Sequence, residues 1–146
     1  MKLSTAIFTC AIIFTSFQAH SRDNKHYLPI QEALDSADFQ SRLNPEISLY
    51  FGDQKHSTVI KSMGTFTSNK KTNAFGKDVT EACQWVLLST VIALQERAIA
   101  SGGNAVVGIS SYYNKVKFSS STQYECHKGF LMAGVALQGK VVKLAK

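Results

Sequence analysis

One segment constrains the fold more than any other, and it predicts a long helix over residues 78–101. Residues 85–94 are apolar apart from Ser89 and Thr90. A helix that is apolar on nearly every side is buried on more than one of them. The apolar stretch is also too short to span a bilayer, which takes about 20 residues. We therefore expect this helix to lie at the centre of a folded domain.

The ends of this helix are marked by capping residues. Asp78 is a good N-cap, and Glu81 three residues later completes a capping box. Gly102 and Gly103 follow at the point where a left-handed residue ends a helix. The boundaries of the central helix can thus be predicted from local chemistry alone.

Three strands are predicted after the helix, over residues 104–118, 122–126 and 129–144. The last strand is apolar on both faces, with Leu131, Ala133, Val135, Leu137 and Val141 on one and Phe130, Met132, Ala136, Val142 and Leu144 on the other. A sheet covered on one side only would alternate apolar with polar residues. We therefore expect a cover for the second face, either the N-terminal helix or a second copy of the chain.

The segment before the central helix is more polar. Residues 22–28 are predicted to be a loose arm, and residues 29–43 a short helix that begins at a proline. Strands are predicted at 47–51 and 58–67, followed by a polar loop at 68–77. The sequence therefore predicts an α+β fold, with one long helix packed on a mostly antiparallel sheet in the order β-β-α-β-β, and a short N-terminal helix.

The first 21 residues have the pattern of a secretory signal peptide. Lys2 gives a basic start, residues 3–17 carry no charge, and Ala19 and Ser21 are small residues at the positions that a signal peptidase recognises. Cleavage is expected before Arg22, which predicts a periplasmic or secreted protein. The predicted organisation is a signal peptide at 1–21, an N-terminal arm and short helix at 22–46, and one domain at 47–146.

Charge is distributed unevenly along the chain. The chain has 16 basic and 10 acidic residues, and Glu125 is the one acidic residue after position 96. Such asymmetry favours an anionic partner, such as an acidic envelope polymer or lipid headgroups. The C-terminal lysines are spread out, however, which is typical of a solvated surface.

Two cysteines remain after the expected cleavage. Cys83 and Cys126 would meet an oxidising compartment, where two such thiols commonly form a disulfide. The alternative is a metal site, for which Cys126 and His127 are adjacent but lack a further pair of ligands.

Motifs for catalysis are weak. Residues 134–140 fit the first seven positions of a phosphate-binding loop, but Val141 stands where the magnesium-binding hydroxyl is needed, and the segment lies inside a predicted strand. The sequence contains neither G-x-S-x-G nor H-E-x-x-H. A pair of carboxylates that meets only in space stays open as a hydrolase site. We expect no enzyme and no cofactor.

Three segments carry a family resemblance. The run LQERAIAS (94–101) leads into GGNAVVGISSYY (102–113), and FLMAGVALQGKVVKL closes the chain at 130–144. This arrangement resembles the YbjQ-like family, which is named for heavy-metal binding. It also resembles the globular domain of the Rcs envelope-stress sensor lipoprotein, at residues 104–106 and 134–137. The whole chain, with LPIQEAL, FGDQKH and TSNKKTNAF, is similar to small secreted bacterial proteins labelled excinuclease ATPase subunit.

These resemblances have consequences for fold and function. They imply a small α+β domain with one long helix on the sheet, and the YbjQ-like family includes ring-shaped oligomers. The Rcs sensor domain has a bridge from the segment before its helix to its last strand, which supports a Cys83–Cys126 disulfide. The second bridge of the Rcs domain would fall on Ser111 and Met132, which are not cysteines and cannot form it. The resemblance therefore implies the sensor's signalling role for this chain less strongly than it implies the fold.

The expected function is a non-enzymatic secreted or periplasmic module that binds an envelope component or a protein partner, with envelope stress sensing as one role. The alternative is a metal-binding or small-ligand-binding protein. Homo-oligomers are a further expectation, whereas nucleic-acid binding and a stable membrane span are not expected. The candidate ligand or partner surface consists of Asn104, Tyr112, Tyr113, His127 and Lys140.

Overall fold

Helices and strands are mixed along the chain, and the computed structural model describes residues 23–146. The elements are β1 (Asn24–Pro29), α1 (Ile30–Leu34), α2 (Ala37–Arg42), β2 (Ser48–Phe51), β3 (Val59–Asn73), α3 (Val79–Ala100), β4 (Ala105–Ser111), β5 (Gln123–Lys128) and β6 (Met132–Leu144), with a 3₁₀ turn at Tyr113–Lys115. The signal peptide predicted at 1–21 lies outside the described residues. In the described part of the chain, no helix combines the length and the apolar character that crossing a bilayer requires.

The six strands form one curled sheet with β6 in its middle. Strand β3 runs antiparallel along one side of β6, while β5 and β4 share the other side. Strand β1 pairs with β5 antiparallel, and β2 pairs with β4 in parallel. The predicted α+β class, with one long helix on a mostly antiparallel sheet, is confirmed, although the order of strands and helices is richer than β-β-α-β-β.

Helix α3 begins and ends where its capping residues predict. The Asp78 side chain accepts a hydrogen bond from the Glu81 N–H at 2.8 Å. At the other end Gly102 has a φ of 76°. The Gly103 N–H donates to the Ala98 carbonyl at 2.9 Å, which completes a Schellman motif.

The main core lies between α3 and one face of the sheet. From α3 it takes Val86, Leu87, Val91 and Leu94, and from the sheet Val106, Ile109, Val135, Leu137 and Val141. Ile30 and Ala33 of α1 and Phe39 of α2 join this same cluster. Of the two covers expected for the second face, the N-terminal helix is therefore wrong, and a second copy of the chain stays a prediction.

The second face is buried only in part. Ala105, Val107, Val142 and Leu144 form a small cluster against Tyr50. Phe130 and Met132, which were expected to share that cover, are exposed at the other end of β6. The strand thus has two apolar faces, but its exposed apolar residues are confined to one end.

Two predictions about the N-terminal region are wrong. The arm predicted at 22–28 is strand β1, which is held by backbone bonds to β5 while most of its side chains face solvent. The helix predicted at 29–43 is two short helices, because Ser36 adopts an extended conformation between them. Its hydroxyl donates to the Ala33 carbonyl at 2.7 Å.

Two strand boundaries also differ from prediction. The polar loop predicted at 68–77 is largely strand, because Ser68–Asn73 pairs with Leu137–Met132 of β6. The strand predicted at 104–118 ends at Ser111. Asn114 and Lys115 have φ values of 50° and 64°, which turn the chain away from the sheet.

Candidate functional site

A polar cluster lies where β1, β5 and the turn after β4 meet. Glu125 and His127 are two residues apart on β5, so their side chains share one face of that strand. Strand β1 pairs with β5 and brings Asp23, the residue before it, to the same place. The 3₁₀ turn places Tyr113 over the cluster.

The imidazole ring of His127 is held from three directions. Its Nε2 lies 2.6 Å from Glu125 Oε1, and its Nδ1 lies 3.2 Å from Asp23 Oδ2. The Tyr113 ring stacks on it with centroids 3.6 Å apart and an angle of 8° between the planes. The Tyr113 hydroxyl donates to Asp23 Oδ2 at 3.2 Å. We call these four residues, Asp23, Tyr113, Glu125 and His127, the histidine cluster.

The polar groups of the histidine cluster contact one another and a neighbouring lysine. Glu125 is buried, with the Lys25 ammonium 4.0 Å from its carboxylate. Burial raises the pKa of Tyr113 above its ordinary value, and the Asp23 carboxylate raises it further. The phenol therefore stays protonated and acts as a donor. Each ring nitrogen of His127 thus has a carboxylate oxygen within hydrogen-bond distance.

A cleft of about 420 Å³ opens beside the histidine cluster. It is lined by Asp23, Lys71, Tyr113 and His127 together with residues 129–134. A cleft of this volume is in the range that holds small ligands or a few side chains of a partner.

The far side of the cleft is an exposed apolar surface at the turn between β5 and β6. Phe130 is 77% exposed and Phe75 is 59% exposed, and their rings meet edge to face at 5.4 Å. Leu131 and Met132 are exposed beside them. The Ala74 N–H donates to the Leu131 carbonyl at 2.8 Å, which joins the two segments. We call Phe75, Phe130, Leu131 and Met132 the apolar tip.

The five residues expected to form one surface lie in three places. Tyr113 and His127 are stacked in the histidine cluster, and the Tyr112 N–H donates to the Ala136 carbonyl nearby. Asn104 lies at the opposite end of β6, where its side chain bonds both the N–H and the carbonyl of Leu144. Lys140 lines a separate cleft with Asp53, His56 and Lys117.

Several residues of the site were not identified from the sequence. Glu125 could have been found, because the alternation of Glu125, Cys126 and His127 in a strand puts two polar side chains on one face. Asp23 could not, because nothing in the sequence shows that β1 pairs with β5.

The disulfide between Cys83 and Cys126 is confirmed. Their Cα atoms are 6.0 Å apart and both residues are fully buried. The bond ties the second turn of α3 to the middle of β5, between Glu125 and His127. Because the Cys126 sulfur is bonded to Cys83, it is not a thiolate ligand for a metal. Within residues 23–146, no three His, Cys, Asp or Glu side chains are grouped as metal ligands.

The segment that fits part of a phosphate-binding loop is extended. Residues 134–140 lie within β6, paired with β3 on one side and with β4 and β5 on the other. A phosphate-binding loop must leave its backbone N–H groups free to surround the phosphates. This segment instead uses its backbone in the sheet.

No family model matches the chain, and no curated protein or solved structure matches it either.

Proposed function

We propose that the protein is an exported, non-enzymatic module that binds a component of the cell envelope through the apolar tip and the adjoining cleft. The single observation that carries this proposal is the grouping of four exposed large apolar side chains at one end of the domain. Contiguous exposed apolar surface on a soluble domain marks an interaction site.

The contacts within the histidine cluster support a non-enzymatic function. A general base needs a nitrogen or carboxylate oxygen that can reach a substrate proton. In the histidine cluster both ring nitrogens of His127 face carboxylates, and the Tyr113 hydroxyl is bonded to Asp23. These contacts are those of a rigid support for the cleft, which suits binding. We propose envelope stress sensing as one role of this binding.

The disulfide supports the same proposal over the metal-binding alternative. A stable Cys83–Cys126 bond suits an oxidising compartment and removes the one thiol beside His127. The small-ligand alternative is favoured by the cleft volume of about 420 Å³. Small-ligand binding and envelope binding depend on different parts of the site. A small ligand needs the cleft, whereas an envelope surface needs the apolar tip.

The test is sedimentation with washed bacterial cell envelopes. We expect the exported wild-type protein to sediment with envelopes, and the double variant Phe130→Ser/Leu131→Ser to stay in the supernatant. Ile60→Ser is the matched control, because Ile60 is 67% exposed but lies near the opposite end of β3. Equal sedimentation of all three proteins, or of none, would overturn the proposal.

A further inference from the structure

Three lysines lie close to the apolar tip. Lys71 lines the cleft beside it, and the Lys128 ammonium donates to the carbonyl of Gly129, the residue before Phe130. Lys77 follows Phe75 by two positions. No arginine occurs in residues 70–78 or 123–134, the two segments that form and adjoin the tip.

The acidic groups near the tip are already engaged within the protein. Asp23 and Glu125 contact His127, and Glu125 also lies near Lys25. Asp78 caps α3 through its side chain. The acids are thus held by internal partners, which leaves the lysines as the charges that an approaching surface meets first.

An envelope component could be a protein or a lipid surface. Large apolar side chains bordered by lysines suit these two partners differently. Lysine is depleted in protein–protein interfaces, where arginine and tyrosine are favoured. Apolar residues that enter the boundary of the acyl chains, with lysines at the level of anionic headgroups, are the pattern of a protein that lies on a membrane surface. Lysine stems can also lie along apolar surface while the ammonium stays at the headgroups.

We propose that the component bound by the apolar tip is the surface of an anionic lipid bilayer. Phe130, Leu131 and Met132 enter the boundary between headgroups and acyl chains, while Lys71, Lys77 and Lys128 contact the anionic headgroups. This inference deepens the proposed function and rests on it, because it names the envelope component.

The experiment measures binding of the disulfide-bonded protein to protein-free vesicles. One set contains phosphatidylcholine alone, and the other contains phosphatidylcholine with phosphatidylglycerol. We expect binding to the anionic vesicles, much weaker binding to the neutral ones, and a decrease with added salt because salt screens the lysines. Phe130→Ser/Leu131→Ser should weaken binding roughly tenfold or more, because each side chain loses an apolar transfer term.

The lysine contribution is tested separately. Lys71→Gln/Lys128→Gln should weaken binding to anionic vesicles roughly fivefold per lysine and leave the binding to neutral vesicles unchanged. The matched control is Ile60→Ser/Lys61→Gln, which makes the same kinds of change on β3 near the end opposite the tip. All the changed side chains are exposed or half-buried, and equal thermal unfolding midpoints would show that each variant is folded.

Insertion itself has a direct readout. In Phe130→Trp the added indole should be quenched by lipids brominated on their acyl chains, whereas Trp85, which lies half-buried on α3 under the Arg42 guanidinium, should not be. Quenching of neither indole in bound protein would overturn the inference.

The result distinguishes this inference from the function on which it rests. If envelopes bind through the tip but protein-free anionic vesicles do not, the lipid inference fails and the proposed function stands with a protein or polymer as the component. If neither envelopes nor vesicles bind through the tip, both fail. A tip-dependent dimer seen by sedimentation velocity, without vesicle binding, would identify a second copy as the occupant and overturn the lipid inference.

Discussion

Tyr124 is a buried residue whose hydroxyl destabilises the folded state. The side chain is 1% exposed, and its hydroxyl has no hydrogen-bond partner among the described residues. Burial raises the pKa of Tyr124 above its ordinary value, and the Glu32 carboxylate raises it further. The folded protein therefore holds this proton more tightly than the unfolded chain does.

The variant Tyr124→Phe should be more stable than the wild type by about 1 kcal/mol at neutral pH, because it removes an unsatisfied buried hydroxyl. A raised pKa contributes stability that is present below about pH 10 and lost as the pH rises above it. The free energy of unfolding should therefore fall less steeply in the variant than in the wild type above pH 10, as measured by urea unfolding. Tyr27→Phe is the control, because Tyr27 is exposed. A destabilised Tyr124→Phe protein would contradict this account.

Gln95 is a buried residue of the opposite kind, since all of its polar atoms have partners. Its Oε1 accepts from the Asn44 N–H at 2.9 Å, and its Nε2 donates to the carbonyls of Asn44 and Ile47, both at 3.0 Å. These bonds join the segment between α2 and β2 to helix α3. No pattern in the sequence identifies this role, because Gln95 looks like any polar residue on the exposed side of a helix.

At the scale of the elements, this residue joins α3 to the turn before β2. We expect Gln95→Ala to destabilise the fold by about 3 kcal/mol, because three backbone groups lose their partner in a buried place. Chemical denaturation measures the change. Glu96→Ala on the exposed neighbouring position should differ from the wild type by less than about 0.5 kcal/mol. If the two variants are equally stable, the Gln95 bonds contribute nothing to the fold.

Elements specified by local chemistry could be predicted, and elements specified by pairing could not. Helix α3 has an N-cap, an apolar body and a glycine C-cap within its own sequence, so its bounds agree with prediction within one residue. Strand β1 and the second half of β3 have few buried side chains and no clear alternation. They are strands because β5 and β6 offer backbone partners, and that information lies far away in the sequence.

The same distinction applies to the candidate site. The surface predicted from the sequence includes Tyr113 and His127, and the structure brings these two residues together. The same predicted surface includes Asn104 and Lys140, but the length of β6 separates Asn104 from the histidine cluster. The end of β6 that a residue near the start of β4 lies beside depends on the register between these two strands. A single sequence does not reveal that register.

At the scale of the whole molecule, the disulfide is the covalent link between helix and sheet. It closes a segment with a sequence separation of 43, and the chain-entropy model gives about 4 kcal/mol for such a loop. We expect Cys83→Ala/Cys126→Ala to lower the thermal midpoint by roughly 15 °C. Reductant should lower the wild-type midpoint by a similar amount and leave the double variant unchanged. A peptide map with both thiols free in exported protein would contradict the bond.

The disulfide also connects the stability of the molecule with its proposed binding surface. Cys126 lies between Glu125 and His127, so the bond fixes the strand from which the histidine cluster is built. Reduction should therefore loosen the cleft as well as the core.

The central position of β6 has a consequence for the order of events in synthesis. Every strand except β1 and β2 pairs directly with β6, and β6 is the last element in chain order. Until it leaves the ribosome, β3, β4 and β5 lack the strand that joins them, and long-range pairing of this kind is slow. The sheet therefore cannot be completed before β6 has been made, although the strands that pair with it are made earlier.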